Sequence, residues 1–286
     1  PGWIQEALGL AADKAVEAYG IWGGVPRYWE AARDYRNTRE AIVNTVLDKN
    51  GVFYDEPMRI LADDMRSAVQ PYSILRTIAV GCHRLSEIAG RLGKPANSLS
   101  RPLAQLVDLG YVSRDIPWGE SPKSTRRSLY RVSDPFLQFY FRFVQPARSA
   151  LSMGLNDLVW NDIEKLMNAH TGGVWEELAR RSVPFVSIGG KRWRPASRWW
   201  GSGTDGQRAE FDVVAESEDR KSLLVGEAKW TSRSGSERLC ERLMSKARTL
   251  PAAAGRNVVI ALWLKKSGGQ KGASVIGPKT VMNALV

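Results

Sequence analysis

Between residues 208 and 265 the apolar residues stop recurring every three or four positions and gather into three short blocks, "AEFDVVAE", "SLLVGEAKW" and "NVVIALWLKK". Blocks of this length, rich in Val, Leu and Ile and bounded by polar turns, read as buried strands. A charged turn, "SEDRK", joins the first two, and an amphipathic helix, "SERLCERLMSKARTL", separates the second from the third. Ahead of them "KRWRPASRWW" reads as another strand, and residues 155–182 read as helix with an interruption at Gly172 and Gly173. The order helix, three strands, helix, strand predicts an α/β domain with a mixed sheet over 151–286.

The rest of the chain is patterned differently. Residues 1–70 are helical in character, broken at Gly23, Gly24 and Pro26, and their Tyr19, Trp22, Tyr28 and Trp29 are expected to be packing groups. Residues 71–150 predict a winged helix-turn-helix. In "RLSEIAGRLG", Leu85, Ile88, Ala89 and Leu92 share one helix face, and Gly93 stops the helix. In "SLSRPLAQLVDLGYV", Leu99, Leu103, Leu106 and either Val107 or Leu109 face inward, and Gly110 ends the second helix. Pro102 is tolerated without loss only in a first turn, which favours Ser100 over Ser98 as N-cap and leaves "KPANS" as an extended turn. The next stretch has two strand-like ends around a polar tip, the form of a wing. "DPFLQFYFRFVQP" then places Phe136, Phe139, Tyr140 and Phe143 on one stripe, expected to be core. The fold class is therefore multidomain, α and α/β.

Charge narrows the partners. Forty-one Lys and Arg against thirty Asp and Glu leave a net charge of +11 and a pI near 9.8. That balance favours polyanions, nucleic acid first, with DNA the expected form, and an acidic membrane surface second. In a winged helix, Lys94, Asn97, Ser98, Ser100 and Arg101 would face the major groove, while Lys123, Arg126 and Arg127 at the wing would take phosphates; the alternative is a winged helix used for protein contact, with these charges solvated. Lys191, Arg192, Arg194 and Arg198 interleave with Trp193, Trp199 and Trp200. They suit either phosphate and base contacts or a strand with core indoles and solvated cations. Two distant cysteines, Cys82 and Cys240, indicate neither a disulfide framework nor a zinc site, and His83 and His170 are isolated. No apolar run reaches the eighteen residues of a membrane span and no signal peptide is evident, so no membrane role and a cytoplasmic location are expected.

"LLVGEAKW" carries the chemistry. Period two puts Glu227 and Lys229 on one strand face, and Asp212 in the preceding strand can converge on them across a hairpin. Two desolvated carboxylates need a cation or a shared proton, and oxygen ligands of this kind suit Mg²⁺ or Mn²⁺. Lys229 beside them would orient or deprotonate an attacking water, which is phosphodiester chemistry. "FDVVAESEDRKSLLVGEAKW" resembles the D-x(n)-E-x-K signature of the PD-(D/E)XK nuclease superfamily, with fourteen residues between Asp212 and Glu227. The resemblance implies an α-β-β-β-α-β core, catalytic roles for Asp212, Glu227 and Lys229, and a helix carboxylate, Glu176 or Glu177, completing the metal site. In this superfamily the fold also serves as a noncatalytic module, so both readings stay open.

A wider resemblance spans nearly the whole chain. "GIWGGVPRYWE", the winged helix, "DPFLQFYFRFV" and the "GEAKW" strand follow the order of the archaeal-type DEXX-box ATPases, an AAA-like group. That resemblance implies a helical lid over 1–70, a winged helix over 71–150 and a nuclease-like domain over 151–286, preceded by a P-loop domain. These 286 residues contain no G-x(4)-G-K-[ST], so ATP hydrolysis is not assigned to them. Pro1 at the start leads to the expectation of a C-terminal fragment rather than a relative without a motor.

Overall fold

The computed structural model describes residues 1–65, 67–121, 123, 127–231, 236–266 and 272–286. The chain divides into two compact units. One comprises Pro1–Glu17, Ile116–Arg126 and Asn168–Val286, and the other comprises Ala18–Asp115 and Arg127–Met167.

In the second unit three helices, α1 (Val69–Ala79), α2 (Leu85–Leu92) and α3 (Ala96–Asp108), precede an antiparallel hairpin of β1 (Val112–Asp115) and β2 (Leu129–Val132). The Glu87 carboxylate accepts the backbone N–H groups of Arg84 (3.0 Å) and His83 (2.9 Å), closing the start of α2, and Gly93 ends it at φ 62°. Helix α3 begins earlier than expected. Pro95 is its extended N-cap, Ala96, Asn97 and Ser98 already form its first turn, and Pro102 lies inside it, which overturns Ser100 as N-cap. An interior proline costs about 3 kcal/mol. Leu99, Leu103 and Leu106 are at most 1% exposed. Burying each is worth roughly 1.5–3 kcal/mol, so packing holds the helix through the proline. At the far end Tyr111 N–H reaches Leu106 O (2.9 Å) and Gly110 N–H reaches Val107 O (3.0 Å), with Gly110 at φ 79°.

Helix α4 (Pro135–Phe139), capped by Asp134 accepting Leu137 N–H (2.8 Å), runs into a π turn over Tyr140–Val144. Phe136, Phe139, Tyr140 and Phe143 are buried as expected, and the wider turn brings Phe141 and Val144 inside as well. Phe136 meets the rings of Tyr28 (4.5 Å) and Phe53 (6.1 Å), so the N-terminal helical segment and the winged helix share one core. Tyr19, Trp22, Tyr28 and Trp29 are all buried packing groups.

The first unit is built on α5 (Asn156–Ser182), which enters it at Asn168. The expected break at Gly172 and Gly173 is absent, because α5 is one helix of 27 residues. Burial of Trp175, Leu178 and Ala179 outweighs the glycines' weak propensity of about 1 kcal/mol each. Five strands follow in spatial order: β3 (Ser197–Ser202), β4 (Arg208–Glu216), β5 (Ser222–Lys229), β6 (Asn257–Leu264) and β7 (Ser274–Ile276). The pairs β3–β4 and β4–β5 are antiparallel, whereas β5–β6 and β6–β7 are parallel, so the sheet is mixed as expected. Helix α6 (Ser236–Ala247) makes the crossover and buries Cys240 and Leu243 against Phe211, Val225 and Leu262. On the opposite face Trp175 donates to Trp263 O (3.0 Å), and Gly226 leaves room for Trp263, whose ring would lie 2.4 Å from any Cβ there. Neither β7 nor α7 (Pro278–Ala284) was evident in the sequence.

Trp193 and Trp199 are buried, so the indoles of "KRWRPASRWW" at those positions serve the core. Residues of the hairpin tip group with the sheet: Trp118 N–H donates to Arg198 O (2.8 Å) at the β3 edge, and Arg256 lies 5.9 Å from its ring centroid. Among the described residues no helix is long and apolar enough to cross a membrane.

Candidate functional site

A defect in β4 aims the first carboxylate. Ser197 pairs with Val214 and Trp199 with Phe211, so two steps along β3 are matched by three along β4. The extra residue is a bulge, which lets Phe211 and Val214 enter the same core and re-aims Asp212 between them. Pairing of β4 with β5 ends at Val213↔Gly226. Beyond that point the Asp212 Oδ2 atom accepts the Ala228 N–H at 3.0 Å, in place of a ladder carbonyl. Asp212 is 7% exposed and held from both strands.

Along β5, Leu223 and Val225 face the α6 core, and Glu227 and Lys229 continue that alternation to the strand end. Lys229 Nζ stands 2.8 Å from Glu227 Oε1 and 3.9 Å from Asp212 Oδ2. Burial alone would lower the Lys229 pKa, but the Glu227 hydrogen bond and the charges of Glu227, Asp212 and Glu176 outweigh it and hold it above the ordinary lysine value. Helix α5 contributes Glu176, whose carboxyl is pushed up to about 7, first by burial and then by the Asp212 charge, against the pull of Arg180 and Lys229. Glu177 takes a different part: it is bound by Arg180 through Nη2 (2.8 Å) and Nε (3.2 Å), while Arg180 Nη1 donates to Asp212 O (3.0 Å). Arg180 thus ties the helix to the bulge, and Glu176 is the helix carboxylate within electrostatic reach of Asp212.

Three carboxylates, Asp212, Glu227 and Glu176, are the donor chemistry of a hard divalent cation, and in that respect the residues fit one. Among the described residues no three Asp, Glu, His or Cys side chains converge closely enough to hold a cation as they stand. Lys229 provides the compensating charge within this group.

The helix-turn-helix presents a second surface, in the other unit. Asn97, Arg101, Ala104, Gln105 and Asp108 are exposed and follow helical spacing on the side of α3 away from Leu99, Leu103 and Leu106. Ser98 and Ser100 flank that face, and Lys94 is exposed in the preceding turn. Gln105 escaped the sequence reading, although it lies four residues beyond Arg101 and eight beyond Asn97. An open cleft of about 800 Å³ lies along this helix, lined in part by Asp64, Gln70, Arg101, Gln105 and Asp108. Its carboxylates make the C-terminal half of α3 the less favourable side for phosphate. Lys123 is exposed, Arg127 is half-buried and engaged, and Arg126 lies outside the described residues. His83 joins α2 to the wing, its Nδ1 2.9 Å from Tyr130 O.

Residues 73–115 are similar to the IclR helix-turn-helix domain. Residues 140–243, from the π turn into α6, match the DUF234 family model, described as archaeal and bacterial proteins of unknown function. An uncharacterized protein of Methanocaldococcus jannaschii, MJECL04, is 28% identical over 225 residues, 76% of this chain and 48% of its own length. The chain spans about half the length of that curated relative. A crystal structure of protein VC1899 from Vibrio cholerae aligns over 81% of this chain and 53% of its own, with 13% identity and a TM-score of 0.27.

Proposed function

We propose that the chain is a DNA-binding region of an ATPase-family protein whose α/β unit carries a Mg²⁺- or Mn²⁺-dependent phosphodiesterase site. The helix-turn-helix match supports DNA binding, with Lys94, Asn97, Ser98 and Arg101 as first contacts and Gln105 as a further base reader. The family-like order of segments 1–70, 71–150 and 151–286 supports the ATPase connection, the P-loop domain lying outside these residues. What supports the catalytic part is the approach of Lys229 to Glu227 and Asp212 where the β4–β5 pairing ends, with Glu176 within electrostatic reach.

Asp212, Glu227 and Glu176 would hold the cation, which supplies charge neutralisation for a phosphodiester and activation of water. Lys229 stabilises developing negative charge at the attacked phosphate, and Arg180 keeps Asp212 in place through its carbonyl. A second reading, a noncatalytic DNA-binding or assembly module, draws on one observation: Lys229 already neutralises the Glu227 carboxylate without a cation.

Fluorescently labelled duplex and single-stranded DNA, incubated with Mg²⁺ or Mn²⁺, tests the two readings together. Cleavage by the wild type that disappears in Asp212→Asn, with DNA binding retained, supports the nuclease. Equal cleavage in both proteins marks a contaminant, and binding without cleavage selects the noncatalytic module.

A further inference from the structure

Among Asp212, Glu227 and Lys229, the lysine is the member most open to solvent. Its side chain is 41% exposed, whereas those of Asp212 and Glu227 are 10% and 14% exposed. Asp212 is anchored at the bulge by Ala228 N–H, and Glu227 sits on a strand paired along its length with β6. The ammonium group hangs from a flexible four-carbon stem that opens to solvent and hydrogen-bonds to Glu227 Oε1 at 2.8 Å.

We propose that Lys229 at rest occupies the place of a divalent cation and must swing out of the carboxylate group before one binds. The inference rests on the cation-site reading above. A Mg²⁺ ion demands oxygen ligands at about 2.1 Å in a near-octahedral shell. An ammonium group already bonded to Glu227 and facing Asp212 fills part of that shell, and two cations a few ångströms apart in a half-buried site repel strongly. The exposed stem gives the lysine a route outward that the carboxylates lack. Once displaced, its ammonium stays tethered at the rim, able to meet an anionic phosphate entering with the cation. The same residue therefore offsets part of the carboxylate charge at rest and opens the group when ligand arrives.

The test is calorimetric titration of MnCl2 into wild type, Lys229→Met, Lys229→Gln, Lys229→Arg and Asp212→Asn, each first shown to be folded by circular dichroism melting. Removing the competing charge is expected to tighten Mn²⁺ binding by about tenfold or more in the Met and Gln variants. Arg, which keeps the charge, stays within a few-fold of wild type, and Asp212→Asn loses binding. The Gln variant carries the comparison if the Met variant does not fold. Binding in the uncharged variants and none in wild type also supports displacement, while overturning metal-dependent catalysis by the native site. Wild-type binding that is unchanged or weakened in the uncharged variants overturns the inference and leaves the cation site standing. No binding by any protein overturns both.

Discussion

Glu176 is the residue whose chemistry depends most on its surroundings. Its carboxyl is moved from 4.5 to about 7, so between those values the folded chain holds a proton that the unfolded chain has released. Stability linked to this group is complete below about pH 4.5 and is lost as pH rises through about 7, with a full cost of about 3 kcal/mol. Glu176→Gln removes that cost. In the absence of divalent cations the variant should match wild type near pH 4.5 and exceed it progressively up to pH 8, as read from urea midpoints. A constant difference across that range would mean that burial and the Asp212 charge do not act on Glu176 as described. The sequence offered Glu176 and Glu177 equally, one residue apart on a helix. Only the Arg180 fork, which binds Glu177 and the Asp212 carbonyl together, separates their parts.

Among the elements, α3 and α5 show how far packing overrides local preference. Pro102 and the Gly172–Gly173 pair are breakers by propensity, yet each lies within a helix held by buried neighbours. Gly172 keeps ordinary helical backbone and nothing stands within 4 Å of a Cβ there. Gly172→Ala should therefore stabilise the protein by roughly 0.5–1 kcal/mol, as a rise in the chemical denaturation midpoint at constant slope. A loss of stability would reveal a demand on that position beyond helix propensity. Gly226 behaves oppositely, since Trp263 takes the space a methyl group would need. Its place in "LLVGEAKW" gave no hint of this, because the neighbour comes from a strand more than thirty residues onward.

Across the whole molecule, the proposed DNA binding draws on both the net charge of +11 and the helix-turn-helix. DNA affinity should fall linearly with the logarithm of salt concentration, and Lys94→Ala and Lys123→Ala should each reduce that slope by about one if each lysine neutralises one phosphate. An unchanged slope for Lys123→Ala would remove the wing from the interface. Trp118 gives that arm of the test its point: residues beside the wing tip are built into the sheet unit, where Arg198 and Arg256 hold the indole segment.

The amino-acid sequence by itself determined what depends on near neighbours: the helix-turn-helix and its hairpin, the buried aromatic stripe, the helix–strand order of the α/β unit, and Glu227 beside Lys229 on one strand face. These follow from periods of two and 3.6 residues, which any short window reveals. The tertiary structure alone decided the bulge that aims Asp212, the continuity of α3 and α5, and the entry of Pro1–Glu17 and Trp118 into the sheet unit. Each of those outcomes is set by burial against residues far along the chain. Such burial is worth several kcal/mol per element, more than the propensities of about 1 kcal/mol that local sequence expresses.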